Sequence, residues 1–485
     1  MNQNETPGQW LSRGQQLHPN IPALEGDRFI TYAHLFDVSA RLAHRLSSQG
    51  LRRGQIMAVQ LDSTWQLAHL LYAALQLGVT FLPLDPRMEL QRCRKLLSQV
   101  GCHCLISDQL MSAPGLQMIS PVELFNQSSK VSVHFQLTPL DAAAIQLIIA
   151  TSGTTGDPKG VMLSGANLAA SAAASEARLG LGRGDSWLAC LPLFHIGGLS
   201  ILLRCLAVSA KVLLQEGFDA AKVWEQIAKG AVTHISLVPA MLDRLLQQAG
   251  DEHPPAALRV VLIGGGPLSG SLAERAHAAG WPLCVSYGMS ETASQFATDA
   301  GPDAGLAPGF VGLPLDGYEV TITADGRIRV RGAAVMAGYA NPEGELDRGL
   351  DQGWFETGDL GSLDGQGRLT VTGRADDLLV SGGKNIHPVE VEEQLMRCPG
   401  ISSVGVTGRA DPVWGVILVA LYSGEFSVEQ LRGWAADNLP GHLRPREYIQ
   451  IDQLPLNQMG KLSRSALKQM LESAAGDSSS SCGAV

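Results

Sequence analysis

Long apolar runs are missing from these 485 residues. A membrane-crossing helix needs about 20 consecutive apolar residues, and the best candidate, 199–214, is cut by Arg204 and Lys211. Charge is also sparse: Asp, Glu, Lys and Arg make up 17% of the chain and sum to −10. A chain that sheathes a nucleic-acid backbone carries clustered Lys and Arg, so neither nucleic acid nor integral membrane association is expected. The balance still permits a local basic pocket for a small phosphate ligand. Cysteine is thin, eight over the whole length, which is not how a disulfide-framed secreted domain is written. Cys102-His103-Cys104 with Cys93 upstream imitates a zinc site, but no second paired cluster follows, and core thiols are expected. The segment 1–14 has no apolar core of a signal peptide. A cytoplasmic protein is the reading; a homo-oligomer is allowed but not indicated.

What the chain has is apolar mass and turns: 45% hydrophobic residues, 54 glycines and 25 prolines. That composition builds large cores and excludes a disordered or coiled-coil protein, and the length predicts more than one domain. Short apolar runs alternate with helical ones. Residues 56–61 read as a strand, 65–77 as a helix stopped by Gly78, and 79–84 as the next strand. Further strands are expected at 145–150, 211–214, 234–238, 259–263 and 282–286. The rhythm implies βαβ units with many parallel pairs. The fold class expected is α/β: a large N-terminal α/β domain with mixed sheets over 1–374, then a small mobile C-terminal α+β domain over 375–473. In the small domain, strands at 378–381, 404–406 and 416–422 alternate with helices at 389–396 and 428–438. A Ser- and Gly-rich disordered tail is expected at 474–485.

The most informative segment is Thr151-Ser152-Gly153-Thr154-Thr155-Gly156-Asp157-Pro158-Lys159-Gly160, directly after the strand 145–150. Glycines let backbone N–H groups approach an anion, and one lysine supplies charge, as a phosphate-gripping loop requires. The Walker spacing is absent. A hairpin turn would account for one or two of these residues but not for ten in sequence.

Here the chain resembles the adenylate-forming (acyl-CoA synthetase) superfamily. Tyr287-Gly288-Met289-Ser290-Glu291-Thr292, Thr357-Gly358-Asp359, Gly373-Arg374-Ala375-Asp376-Asp377, Ser381-Gly382-Gly383-Lys384-Asn385-Ile386 and Gly460-Lys461 match its motifs in order, from about 27 to 470. Within it, 191–199, 263–268 and 286–295 look closest to the o-succinylbenzoate:CoA ligases of menaquinone biosynthesis. Lys384 and His387 depart from the pattern, standing where a glutamate and a tyrosine are expected.

The resemblance implies an AMP-forming acid:CoA ligase that uses ATP, Mg²⁺ and coenzyme A, with CoA ligation of another aryl or medium-chain acid, or carrier loading by a free-standing adenylation enzyme, as alternatives. It implies that Thr151, Ser152, Thr155 and Lys159 hold the β- and γ-phosphates, Ser290 or Thr292 the α-phosphate, and Glu291 the metal. Asp359 and Arg374 would hold the ribose, while Gly264, Gly265, Gly266 and Tyr287 border the adenine. Lys461 would bridge carboxylate and phosphate. Rotation about Asp376 would then bring Gly382 and Gly383 to the thiol's tunnel. His195, beside Phe194, is an expected wall or gate of the acid pocket. A second carboxylate on the acid would need buried donors. Ser236, Ser286, Ser294 and Gln295 are candidates, and Arg204 is the one nearby arginine, an inward role standing beside that of a surface cap.

Overall fold

The computed structural model describes residues 5–26, 28–109, 115–126, 141–152, 158–340, 349–456 and 462–479. Three sheets organise it: one of 14 strands, one of seven and one of five. The alternating rhythm of the sequence becomes parallel pairing at the heart of both large sheets. His234–Leu237, Val260–Ile263 and Leu283–Met289 lie side by side in the first, and Ile56–Gln60, Thr80–Pro83 and Cys104–Ser107 in the second. Strands covered on both faces read as continuous apolar runs, which is why all of these but Cys104–Ser107 were legible in the sequence. Two helices, Thr64–Leu77 and Ile196–Val208, are each buried at 11 positions. A helix apolar all round belongs in a core, and a single cluster joins Leu70 and Leu202 to Val59 of one sheet and Val261 of the other.

Beyond Phe310 the large sheet continues as antiparallel strands, Phe310–Pro314, Tyr318–Ile322, Arg327–Gly332, Trp354–Leu363 and Leu369–Arg374. The βαβ rhythm gives no hint of this extension, yet it carries Asp359 and Arg374. Its strands are half exposed, so their pattern alternates instead of running apolar.

The large sheet ends at Arg374; after the short turn Ala375–Asp377 the five-stranded sheet begins with the hairpin of Leu379–Ser381 and Lys384–Ile386. A separate apolar cluster around Val391, Leu418, Tyr422 and Leu431 supports it. The helix Arg464–Ser479 packs Leu467 and Leu471 against Val419 and Leu421. It thus runs six residues into the stretch expected to be a tail, because an anchored helix gains one backbone hydrogen bond for each residue it adds.

The cysteine expectation agrees with the structure: Cys93 and Cys104 are buried, and burial pushes the three thiols at 93, 102 and 104 up to about 11, 11 and 12. No group of three or more metal-ligating side chains occurs among the described residues. Among them, too, no helix is long and apolar enough to cross a membrane.

Candidate active site

The site is built around the end of the strand Leu283–Met289 and the turn Ser290–Thr292. The strand pairs in parallel with Val260–Ile263 on one side and antiparallel with Ser294–Asp299 on the other, with a bulge between Tyr287 and Gly288. Bulges re-aim side chains. At Gly288 a Cβ would stand 2.0 Å from the Ser294 carbonyl oxygen, so only glycine lets the two strands close there. Gly264, Gly265 and Gly266 follow Ile263 at the C-terminal end of the parallel strands, and the second and third are exposed. That edge is where open α/β sheets bind ligands.

Tyr287 projects to one side. Its hydroxyl donates to Asp359 Oδ2 at 2.6 Å. Burial, then the Asp359 charge, holds the phenol well above its ordinary range, so it stays a donor. Asp359, 8% exposed, faces Arg374 across the strand pair, with the guanidinium 3.4 Å from Oδ1. Thr357 supports it from behind, accepting the Asp359 N–H at 3.2 Å and donating to the Ile328 carbonyl at 3.0 Å.

Glu291 lies four residues further on, half-buried in the turn. Its Oε1 accepts from the Tyr339 hydroxyl at 2.9 Å. The Tyr339 ring in turn carries the Lys159 ammonium 5.1 Å from its centre, a cation–π contact. Tyr339 sits on the short strand Gly338–Ala340, which pairs with Pro158–Ser164 of the seven-stranded sheet. One tyrosine therefore joins a carboxylate from one large sheet to a lysine from the other. Sequence reasoning missed it: its partners are 48 and 180 residues away, and nothing local marks it.

The strands Ile145–Ser152 and Pro158–Ser164 are antiparallel, Thr151 opposite Lys159. Residues 153–157, between these two strands, lie outside the described residues. Thr151 Oγ1 lies 3.4 Å from the Lys159 carbonyl; Ser152 closes its strand, and Thr155 and Lys461 lie outside the described residues.

Of Ser290 and Thr292, burial favours the first. Thr292 is 0% exposed, its hydroxyl accepting the Met289 N–H at 3.1 Å and donating to the Ser294 carbonyl at 2.7 Å. Its work is to shape the turn, which leaves Ser290 half-exposed beside Glu291. His195 caps the helix Ile196–Val208 in an extended conformation, its ring 4.6 Å from Phe194. Gly382 and Gly383 belong to the five-stranded sheet.

The same test sorts the donors for a second carboxylate. Ser286 Oγ donates its hydrogen to the Ile263 carbonyl at 2.9 Å and is engaged, whereas Ser236 Oγ accepts from Trp187 Nε1 at 3.2 Å, a bond that leaves its own hydrogen uncommitted. Arg204 caps nothing on the surface. It is 3% exposed, 5.5 Å from the Trp187 ring centre, and its Nε and Nη2 have no partner among the described residues. Burial pulls it down to about 10, still charged at neutral pH. Gln295, 3% exposed, leaves both amide atoms unpartnered as well. Ser200, one helical turn before Arg204 and so on the same face, reaches Ser294 Oγ at 3.5 Å.

Comparison with known proteins adds the family. Residues 11–340 match the AMP-binding enzyme family, and 390–461 its AMP-binding enzyme C-terminal domain. The chain is 34% identical over 480 residues to the 2-succinylbenzoate--CoA ligase of Bacillus cereus (strain Q1), covering 96% of this chain and 99% of that one. It is similar in structure to the o-succinylbenzoate CoA synthetase of Bacillus subtilis in complex with the acyl-adenylate intermediate OSB-AMP. There the TM-score is 0.86 at 34% identity, covering 95% of this chain and 97% of the other. ATP-bound MatB from Rhodopseudomonas palustris also matches, with a TM-score of 0.86 at 25% identity over 97% and 99% of the two chains. A site assembled from both large sheets in the family's motif order, and full-length relatives at this identity, lead to one conclusion: the chain belongs to the AMP-binding enzyme family.

Proposed function

We propose that the protein is a cytoplasmic, ATP-dependent acid:CoA ligase that works through an acyl-adenylate, with o-succinylbenzoate as its acid and menaquinone biosynthesis as its setting. The observation that carries the reading is the pair of constellations flanking one turn, Tyr287–Asp359–Arg374 and Glu291–Tyr339–Lys159. The first suits a ribose with two hydroxyls; the second suits a metal-bound polyphosphate.

A carboxylic acid is ionised at neutral pH, so adenylation needs no general base. An acid oxygen attacks the α-phosphorus and pyrophosphate leaves; what the protein supplies is position and charge. Asp359 accepts from the ribose hydroxyls while Tyr287 fixes its orientation and Arg374 adds a donor. Ser290 faces the α-phosphate; Thr151, Ser152, Thr155 and Lys159 hold the outer phosphates. The donor set fits Mg²⁺, which asks for one or two carboxylates plus substrate phosphates and no protein cage. Glu291 would hold it, and the ion would supply charge neutralisation at the phosphates. Lys461 bridges the acid and the α-phosphate. For the second half-reaction the small domain, 375–473, turns about Asp376; the thiol sulfur attacks the acyl carbon and AMP leaves.

A second carboxylate on the acid explains Arg204. A buried guanidinium with two nitrogens unpartnered among the described residues is costly, and an anion from the substrate relieves that cost. Gln295 adds amide hydrogens, and His195 with Phe194 walls the acid's ring. Pyrophosphate release across a panel of acids, with and without CoA, followed by mass spectrometry of the product, tests this. Release that depends on o-succinylbenzoate and a thioester on CoA are expected. Equal turnover of benzoate or octanoate would remove the specific acid and leave a broader acid:CoA ligase. Adenylate without thioester would replace CoA by a carrier protein.

A further inference from the structure

The backbone that leaves the Glu291 turn is strained. Ala293 and Ser294, neither of them a glycine, take φ of +52° and +120°. Such angles are costly for a residue with a side chain, and they persist only where the surroundings over-determine them. Here every carbonyl from 290 to 294 accepts a hydrogen bond. Ser290 takes the Ala293 N–H at 3.1 Å, Glu291 the Met336 N–H at 2.8 Å, and Ser294 the Thr292 hydroxyl at 2.7 Å. The remaining two are held by hydroxyls from outside the turn. Tyr318 donates to the Thr292 carbonyl and Ser171 to the Ala293 carbonyl, each at 2.9 Å.

These two donors come from different parts of the fold, Ser171 from the helix Gly165–Leu179 and Tyr318 from the first position of the strand Tyr318–Ile322. Both side chains are buried, so they act on the turn and not on substrate. Burial pushes the Tyr318 phenol above its ordinary range, which keeps it a donor. Its ring is 6.0 Å from that of Phe296, which in turn lies 4.9 Å from the Tyr287 ring. What the turn separates is short: two residues stand between Glu291 and Ser294, whose hydroxyl lies 3.5 Å from that of Ser200 on the helix carrying Arg204. A chain relaxed to ordinary φ at 293 and 294 would swing Ser294 and Gln295 away from their present relation to Glu291.

We propose that Tyr318 and Ser171 are positioning residues for adenylation. By holding the Thr292 and Ala293 carbonyls they keep the carboxylate for the metal and the donors for the acid in one fixed relation, the alignment that attack on the α-phosphorus needs. The proposal rests on the adenylating half of the acid:CoA ligase reading.

Acid-dependent pyrophosphate release by the full-length enzyme at saturating ATP and acid provides the test, with Tm recorded for each variant. Tyr318→Phe keeps the ring beside Phe296 and removes the donor to the turn. Its kcat should fall about tenfold, the worth of one buried hydrogen bond, and the Mg²⁺ concentration for half-maximal rate should rise. Ser171→Ala should act in the same direction from the helix, so the outcome does not hang on one variant's folding. Ala293→Gly added to either should return most of the lost kcat, because glycine holds a positive φ without strain and no longer needs the two hydroxyls. Hydroxyls with a merely structural role would lower Tm and leave kcat per folded enzyme where it was. Wild-type kcat in either single variant overturns the proposal, and so does a loss that Ala293→Gly fails to return. Wild-type enzyme that releases no pyrophosphate with any acid of the panel overturns the ligase reading, and this proposal with it, before any variant is made.

Discussion

Arg204→Met should leave the ligand-free protein at least as stable while crippling its use of a diacid. Two guanidinium nitrogens are buried without partners among the described residues, and each such donor costs about 1–3 kcal/mol. The stacking on Trp187 at 5.5 Å returns about 0.5–2 kcal/mol. Methionine fills much of the arginine stem's volume with a flexible apolar chain, so the ligand-free state should hold or gain up to a few kcal/mol. For a domain of this size that is about 1 °C per kcal/mol. With o-succinylbenzoate bound the balance reverses. A buried carboxylate deprived of its cation loses about 2–5 kcal/mol, at least thirtyfold in affinity by the usual conversion of about 1.4 kcal/mol per tenfold. Calorimetric unfolding of the ligand-free enzyme, paired with KM for the acid and for ATP in pyrophosphate release, reads both sides. A Tm lowered by several degrees with an unchanged KM for the acid would refute the reasoning: Arg204 would then be a structural cation and the second carboxylate would pair elsewhere.

Tyr339→Phe keeps the ring beneath Lys159 but removes the 2.9 Å donor to Glu291. The Mg²⁺ concentration for half-maximal pyrophosphate release should rise about three- to tenfold, the worth of one charged hydrogen bond near solvent, and an unmoved Mg²⁺ titration would separate Tyr339 from the metal's site. Lys461→Ala should abolish most acid-dependent pyrophosphate release yet spare transfer from a supplied acyl-adenylate to CoA; equal loss in both steps would contradict the rotating small domain. His69, 2% exposed with Nδ1 2.8 Å from the Trp65 carbonyl, is held by burial at about 4, below its ordinary 6.5. Its folded-state value is depressed, so below pH 6.5 the unfolded chain binds a proton that the buried ring refuses, and stability falls by roughly 3 kcal/mol by pH 4. His69→Leu should flatten the loss of Tm between pH 7 and 4, and an identical pH profile would place the acid sensitivity in other groups.

The sequence alone determined most of the parallel strands at the heart of the two large sheets, and the family. Strands buried on both faces must be apolar along their length, and a loop that meets a phosphate must carry glycine, hydroxyl and lysine close together; both constraints are local and therefore written locally. Tertiary structure decided what depends on distant partners. Thr292 and Ser290 stand two residues apart and look equivalent, but only packing commits one hydroxyl to the backbone. Tyr339 becomes a link between Glu291 and Lys159 because two sheets meet there. Arg204 sits in an apolar helix that could have turned either way, and it faces inward because that helix is buried on all sides, leaving its charge to be satisfied by something other than water.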